Sequence, residues 1–146
     1  MKKNTRNSIL FSAVLVFLIV TLIAVNMYNE GPVNIVDGKA IEVNPDALYT
    51  SYTTDSIAAH KNYDGKIVTL TGEVSAVTEN TQKQQVILIK TSAAGGHINC
   101  TMEQPALEIS AGSIISVKGI CSGMGQGDAD LGIAGDVYLI RSIIAN

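Results

Sequence analysis

Few residues of this 146-residue chain have chemistry to offer: Cys100, Cys121, His60, His97, and the aspartates Asp128, Asp130 and Asp136 around a glycine-rich run. Two cysteines in an oxidising compartment favour a disulfide, whereas two in a packed core act as small hydrophobes. The pair Cys100 and Cys121 is open to either reading. His97-x-x-Cys100 hints at a metal site, but alternation along a strand puts the two side chains on opposite faces, where they cannot share one ion. His60 stands between Ala59 and Lys61 and is expected in solvent. Asp128 and Asp130 bring two carboxylates into the loop Gly125–Gly132, and Asp136 is a third candidate to face a ligand there. Calcium takes about six to eight oxygens, and this loop lacks the spacing and terminal glutamate of an EF-hand. The plainer alternative is a solvated turn. There is no Gly-x-Ser-x-Gly and no phosphate loop, and two histidines without placed partners do not make a base. No enzyme, no bound metal and no cofactor is expected.

The elements that must position these residues are mostly strands. Asn44-Pro45-Asp46 is a helix start, with Asn44 as the cap, proline at the first position and an acid in the positive first turn. Leu48, Tyr52, Asp55, Ala59 and Tyr63 then share one helix face, and the helix is expected to end near Lys61 or Asn62. Asp64-Gly65 turns the chain into a long first strand. There Val68, Leu70, Gly72, Val74 and Ala76 alternate with Thr69, Thr71, Glu73 and Ser75, the pattern of a half-buried strand. Gly72, mid-strand on the apolar side, marks a bend or bulge. Glu79–Lys83 is a polar hairpin turn, and Gln84–Thr91 is a second strand too uniformly apolar for its faces to be assigned. His97–Met102 follows as the third strand, with Ile98, Cys100 and Met102 on one face, and Gln104–Ser113 as a loop or helical turn. The fourth strand, Ile114–Ser122, aligns Ile115, Val117, Gly119 and Cys121; the long loop Gly123–Gly135 leads into the fifth, Asp136–Ala145. One helix, a long bent first strand and four more strands describe a mainly β, five-stranded OB-fold barrel preceded by an amphipathic helix. In such a barrel the third strand neighbours the fifth and the fourth neighbours the first. Cys100 and Cys121 would have to meet across it, within a Cα separation of about 7 Å.

Ahead of this domain, Ile9–Val25 carries no charge over 17 residues. That is the short end of a membrane span, and Ser8 and Asn26–Tyr28 can lengthen it. Lys2, Lys3 and Arg6 precede it and no basic residue follows until Lys39, so the positive-inside rule places the N-terminus in the cytoplasm. Its end shows no small-x-small cleavage site and no lipobox cysteine, which favours an uncleaved signal anchor over a cleaved signal peptide. The expected organisation is an anchor over residues 1–28, a stalk over 29–43 whose short Val/Ile pieces can pair with a sheet edge, and an OB-fold domain over 44–146. The protein is then a single-pass protein of the inner membrane with its C-terminal domain in the periplasm. From Asn26 onward all 13 acidic residues face only seven basic ones, a balance of −6. A domain of that sign lacks the electrostatic footprint of nucleic-acid binding.

The domain resembles the tRNA_anti-like family of small OB-fold proteins, found behind N-terminal anchors or signals, especially in Bacteroidota. The resemblance rests on Tyr63-Asp64-Gly65-Lys66, Val68–Val74, Ile98–Met102, Val117–Gly123 and Gly135–Leu139, and spans Asn44–Ile144. It implies the fold and no particular activity. It also implies a cysteine in the last strand, where this chain has Ser142.

A binding module follows as the expected function, taking an envelope protein, a peptide or a small ligand on the barrel face and its loops. Binding of single strands needs basic residues along a groove and aromatic rings for stacking. Beyond the apolar segment the chain has no Trp or Phe, and only Lys66, Lys90, Lys118 and Arg141 fall on predicted strands. Nucleic acid is therefore the alternative partner, and a redox- or metal-responsive module built on Cys100 and Cys121 is the second alternative.

Overall fold

The computed structural model describes residues 14–25, 34–106, 108–128 and 130–145. The chain forms two compact units, Met1–Asn34 and Ile35–Asn146. In the first, residues 14–25 are helical (α1) and their side chains are exposed throughout. The rest of the expected span, Ile9–Ala13 and Asn26–Tyr28, lies outside the described residues. Among the described residues no helix is long and apolar enough to cross a membrane.

The second unit is a barrel. Its elements are β1 (Ile41–Glu42), α2 (Pro45–Thr54), α3 (Ser56–Tyr63), β2 (Ile67–Glu79), β3 (Gln85–Lys90), β4 (His97–Met102), β5 (Ile114–Met124) and β6 (Val137–Ile144). The order across the sheet is β1-β2-β3-β4-β6-β5, and β5 closes the barrel by pairing back on β2. The long strand β2 serves both halves: Ile67–Glu73 pair with β5, and Val74–Glu79 pair with β3. β4 and β6 run parallel, while the other barrel pairs run antiparallel. A five-stranded barrel with a shared first strand and one parallel pair is the OB-fold the alternation predicts.

The core is the inward parity of each strand. Val68, Leu70 and Val74 of β2 meet Ile98, Cys100 and Met102 of β4, Val117 and Cys121 of β5, and Val137 and Leu139 of β6, all buried. β3, whose faces were left unassigned, contributes Val86, Ile87 and Ile89 and leaves Leu88 half-exposed. The register shifts at three places, one in β5 between Cys121 and Gly123 and one each in β2 and β6. In β2 the register against β3 shifts between Val74 and Ala76, so Ser75 is the extra residue and Val77, rather than Ala76, packs against the core. Gly72 does not carry the bulge. A Cβ there would stand 2.5 Å from Ile89 Cγ2 and 3.1 Å from Pro45 Cγ, so the glycine admits close packing of strand and helix. In β6 the register shifts beside Arg141, whose φ of 52° is left-handed, and the inward parity passes from Leu139 to Ser142.

The helical segment begins as its sequence predicts, with Asn44 Oδ1 accepting from the Asp46 N–H at 2.8 Å. It is divided at Asp55, expected on the apolar face of one continuous helix. Asp55 instead ends α2 and caps α3, its carboxylate accepting from the Ala58 N–H at 3.0 Å. An aspartate competes well for a cap and poorly for a helix interior. Leu48, Tyr52 and Ala59 of the predicted face are buried, joined by Tyr49.

Residues 35–43, expected in the stalk, run along the barrel. Ile41 and Glu42 pair in parallel with Val68 and Thr69, the Val43 N–H reaches Thr69 O at 3.0 Å, and Ile35 is buried. The predicted pairing with a sheet edge is thus present.

Candidate functional site

The two cysteines are free thiols. Both stand in register with Leu139, Cys100 from one side of β6 and Cys121 from the other. With neighbouring strands about 4.8 Å apart, their Cα atoms are separated by about 10 Å, beyond the reach of a disulfide. The disulfide reading of Cys100 and Cys121 is therefore corrected to the small-hydrophobe one. Burial pushes the Cys100 thiol up to about 12. Burial also raises the Cys121 thiol, although its hydrogen bonds with Tyr52 and the Gly123 backbone pull the other way. Neither thiol is a ready nucleophile or metal ligand.

Cys121 ends a polar chain that reaches the surface. The Tyr52 hydroxyl lies 3.2 Å from Cys121 Sγ and donates to Asp64 Oδ1 at 2.5 Å, and Asp64 Oδ2 meets His60 Nδ1 at 2.6 Å. Burial, then the bond to Asp64, raises the Tyr52 hydroxyl well above the ordinary tyrosine range. This chain ties α2 and α3 to β5. His60 is exposed as expected, yet carboxylate-bound rather than surrounded by water alone.

The aspartates do not converge. Asp128 Oδ1 accepts from the backbone N–H groups of Asp130 and Leu131, at 3.0 and 3.1 Å, and so builds the turn of a small hairpin. The backbones of Asp128 and Ile133 exchange both bonds at 2.8 Å. A Cβ on Gly135 would fall 2.1 Å from Gly125 O, and one on Gly127 2.3 Å from Ile133 O. Only glycine lets the two backbone arms lie this close. The loop is thus an ordered extension of β5 and β6. Asp136 faces elsewhere and accepts from the His97 N–H at 3.0 Å. Among the described residues no group of three His, Cys, Asp or Glu side chains is placed to hold a metal.

The surface that remains is the outer face of β3, β4 and β6. Register places Leu88, Asn99 and Tyr138 in one row across it. Tyr138 is 39% exposed and Ile140, further along β6, 41%. At the hairpin tip above, Leu131 is 72% and Ile133 56% exposed. Periodicity alone could have found Tyr138 and Ile140, which alternate with buried Val137 and Leu139. At the other end of the barrel Met102, Pro105, Ala106, Ile143 and Ile144 line a largely apolar cleft of about 360 Å³, within the range of small-ligand sites.

The four basic groups expected on the strands are engaged. Lys90 pairs with Glu73 at 2.5 Å and Arg141 with Glu103 at 2.9 Å. Lys66 Nζ donates to Lys61 O at 3.1 Å, and Lys118 Nζ to Val36 O at 2.9 Å. Cations already matched by carboxylates and carbonyls have little left for phosphates.

The tRNA_anti-like family model matches residues 1–130. The chain belongs to the tRNA_anti-like family. The match includes the anchor-like segment as well as most of the barrel. No curated protein matches the chain. Among solved structures, one described as an aspartyl-tRNA synthetase from Leishmania major is similar to it at 9% identity and a TM-score of 0.42. That likeness covers 83% of this chain, which spans only 25% of the synthetase chain.

Proposed function

We propose that this tRNA_anti-like protein is a membrane-anchored binding module that holds a protein, peptide or small ligand outside the cytoplasm. The observation that carries the reading is the outer face of β3, β4 and β6. It offers an exposed aromatic ring and an aliphatic side chain beside partly exposed Leu88, Asn99 and Thr101, with exposed Leu131 and Ile133 on the nearby hairpin. Apolar contacts with a few neutral polar groups suit a protein segment or an uncharged ligand better than a phosphate backbone. The helical residues 14–25, apolar on every side, support an anchor, and the charge asymmetry of Lys2, Lys3 and Arg6 supports its orientation.

Two experiments test the reading. A photoreactive residue at Tyr138 in the full chain should cross-link one discrete envelope component, and Ile140→Asp should abolish the product. Cross-linking unaffected by that change would place binding elsewhere. A reporter fused after Asn146 should be active only outside the cytoplasm; cytoplasmic activity would overturn the location.

A further inference from the structure

Three side chains distant in sequence meet one row from the proposed binding face. The Ser75 hydroxyl lies 3.4 Å from His97 Nε2, and His97 Nδ1 lies 3.5 Å from Asp136 Oδ1. The serine comes from β2, the histidine opens β4, and the aspartate immediately precedes β6. We propose that Ser75, His97 and Asp136 form a nucleophile–base–orienter chain that cleaves carboxylic esters presented at this face.

The geometry assigns each role. Asp136 is an acceptor-only carboxylate, so the proton of a neutral His97 sits on Nδ1 and the Nε2 lone pair faces the Ser75 hydroxyl. Asp136 is held independently, since the same oxygen accepts the His97 backbone N–H at 3.0 Å. Ser75 is the extra residue of the β2 bulge, a device that re-aims a side chain out of ordinary strand alternation. The His97 and Asp136 side chains are 28% and 21% exposed, open to a reactant yet shielded from bulk water. Both contacts are longer than formed hydrogen bonds, as such chains commonly are before substrate tightens them. Directly opposite His97 in the ladder stands Lys90, whose ammonium is held by Glu73 at 2.5 Å and takes no part in the proposed chemistry.

In the reaction, Ser75 Oγ forms a bond to the ester carbonyl carbon while its proton passes to His97 Nε2. The carbonyl π pair moves onto oxygen. Collapse breaks the ester C–O bond, and the leaving alkoxide takes the proton from His97. Water then attacks the acyl-serine, giving its proton to His97, and Ser75 Oγ leaves with that proton as the carboxylic acid is released. Asp136 serves only to orient His97, and nothing is oxidised or reduced. The row Lys90–His97–Asp136 lies about 7 Å along the strands from the row Leu88–Asn99–Tyr138, so a ligand resting on Tyr138 reaches Ser75.

A fluorophosphonate probe tests the chain without knowledge of the natural ester. Added to the full-length protein, it should give one adduct by intact mass, mapped to Ser75 by peptide sequencing. The adduct should vanish in Ser75→Ala and slow by at least about tenfold in His97→Gln, with thermal unfolding showing that both variants fold. Asp136→Asn keeps an acceptor for the backbone and should slow labelling while the fold persists. No adduct at Ser75 in the wild type overturns the proposal, as does labelling at the same rate in His97→Gln. A purely structural hydrogen-bond chain gives the first of those results.

Discussion

Leu70, 1% exposed in the middle of β2, is buried in the core with Val68, Val74, Ile98, Val117 and Leu139. Leu70→Ala removes transfer energy and leaves a cavity walled by other strands, so it should cost about 2–5 kcal/mol in urea unfolding. A loss near about 0.5 kcal/mol would mean the side chain does not face the core. The Cys100 thiol gives a second test. Its folded value, about 12, lies above its ordinary 9.0. The native state keeps the proton that the unfolded state releases, so this contribution is complete below about 9 and is lost as pH rises toward 12. Stability should fall across that window, less steeply in Cys100→Ala, and a thiol reagent at pH 8 should modify Cys100 only on unfolding. At this scale the sequence told inward from outward wherever alternation was unbroken. It could not show that Ser75, His97 and Asp136 meet, because they lie on three strands and one member sits on a bulge. His97 was visible as a histidine at a strand start, and only the tertiary register gives it partners.

Capping signals were legible among the elements because they act within a few residues. Asn44 accepts the Asp46 N–H with Pro45 at the first helical position, as Asn-Pro-Asp predicts. Asn44→Ala should cost about 0.5–2 kcal/mol in thermal or urea unfolding, and a change within error would show the cap to be redundant. Asp55 carried the same type of signal and was read instead by its place in the apolar spacing. Position outweighed chemistry, and the break between α2 and α3 was missed. The bulges at Ser75 and Arg141 were illegible for a different reason. A bulge is a count of two residues against one on a partner strand, and the partner is unknown until the sheet is assembled. As a long loop or solvated turn the segment gives its glycines no particular task, whereas Gly125, Gly127 and Gly135 are there for close backbone contact.

Across the whole molecule, the charge balance and the fold point in different directions. OB barrels often bind single strands, and the family's name points the same way. The balance of −6 beyond the apolar segment, together with the engaged Lys66, Lys90, Lys118 and Arg141, opposes it. What attraction remains is largely screened at about 0.15 M salt. On the function proposed above, the barrel recognises its ligand through apolar and neutral polar groups and not through phosphates. Fluorescence anisotropy of a fragment carrying residues 29–146, titrated against labelled single-stranded DNA and RNA of mixed sequence, tests it most directly. No binding tighter than about 10 µM is expected at about 0.15 M salt. Sub-micromolar affinity that weakens as salt is raised would contradict it and make the barrel a nucleic-acid module.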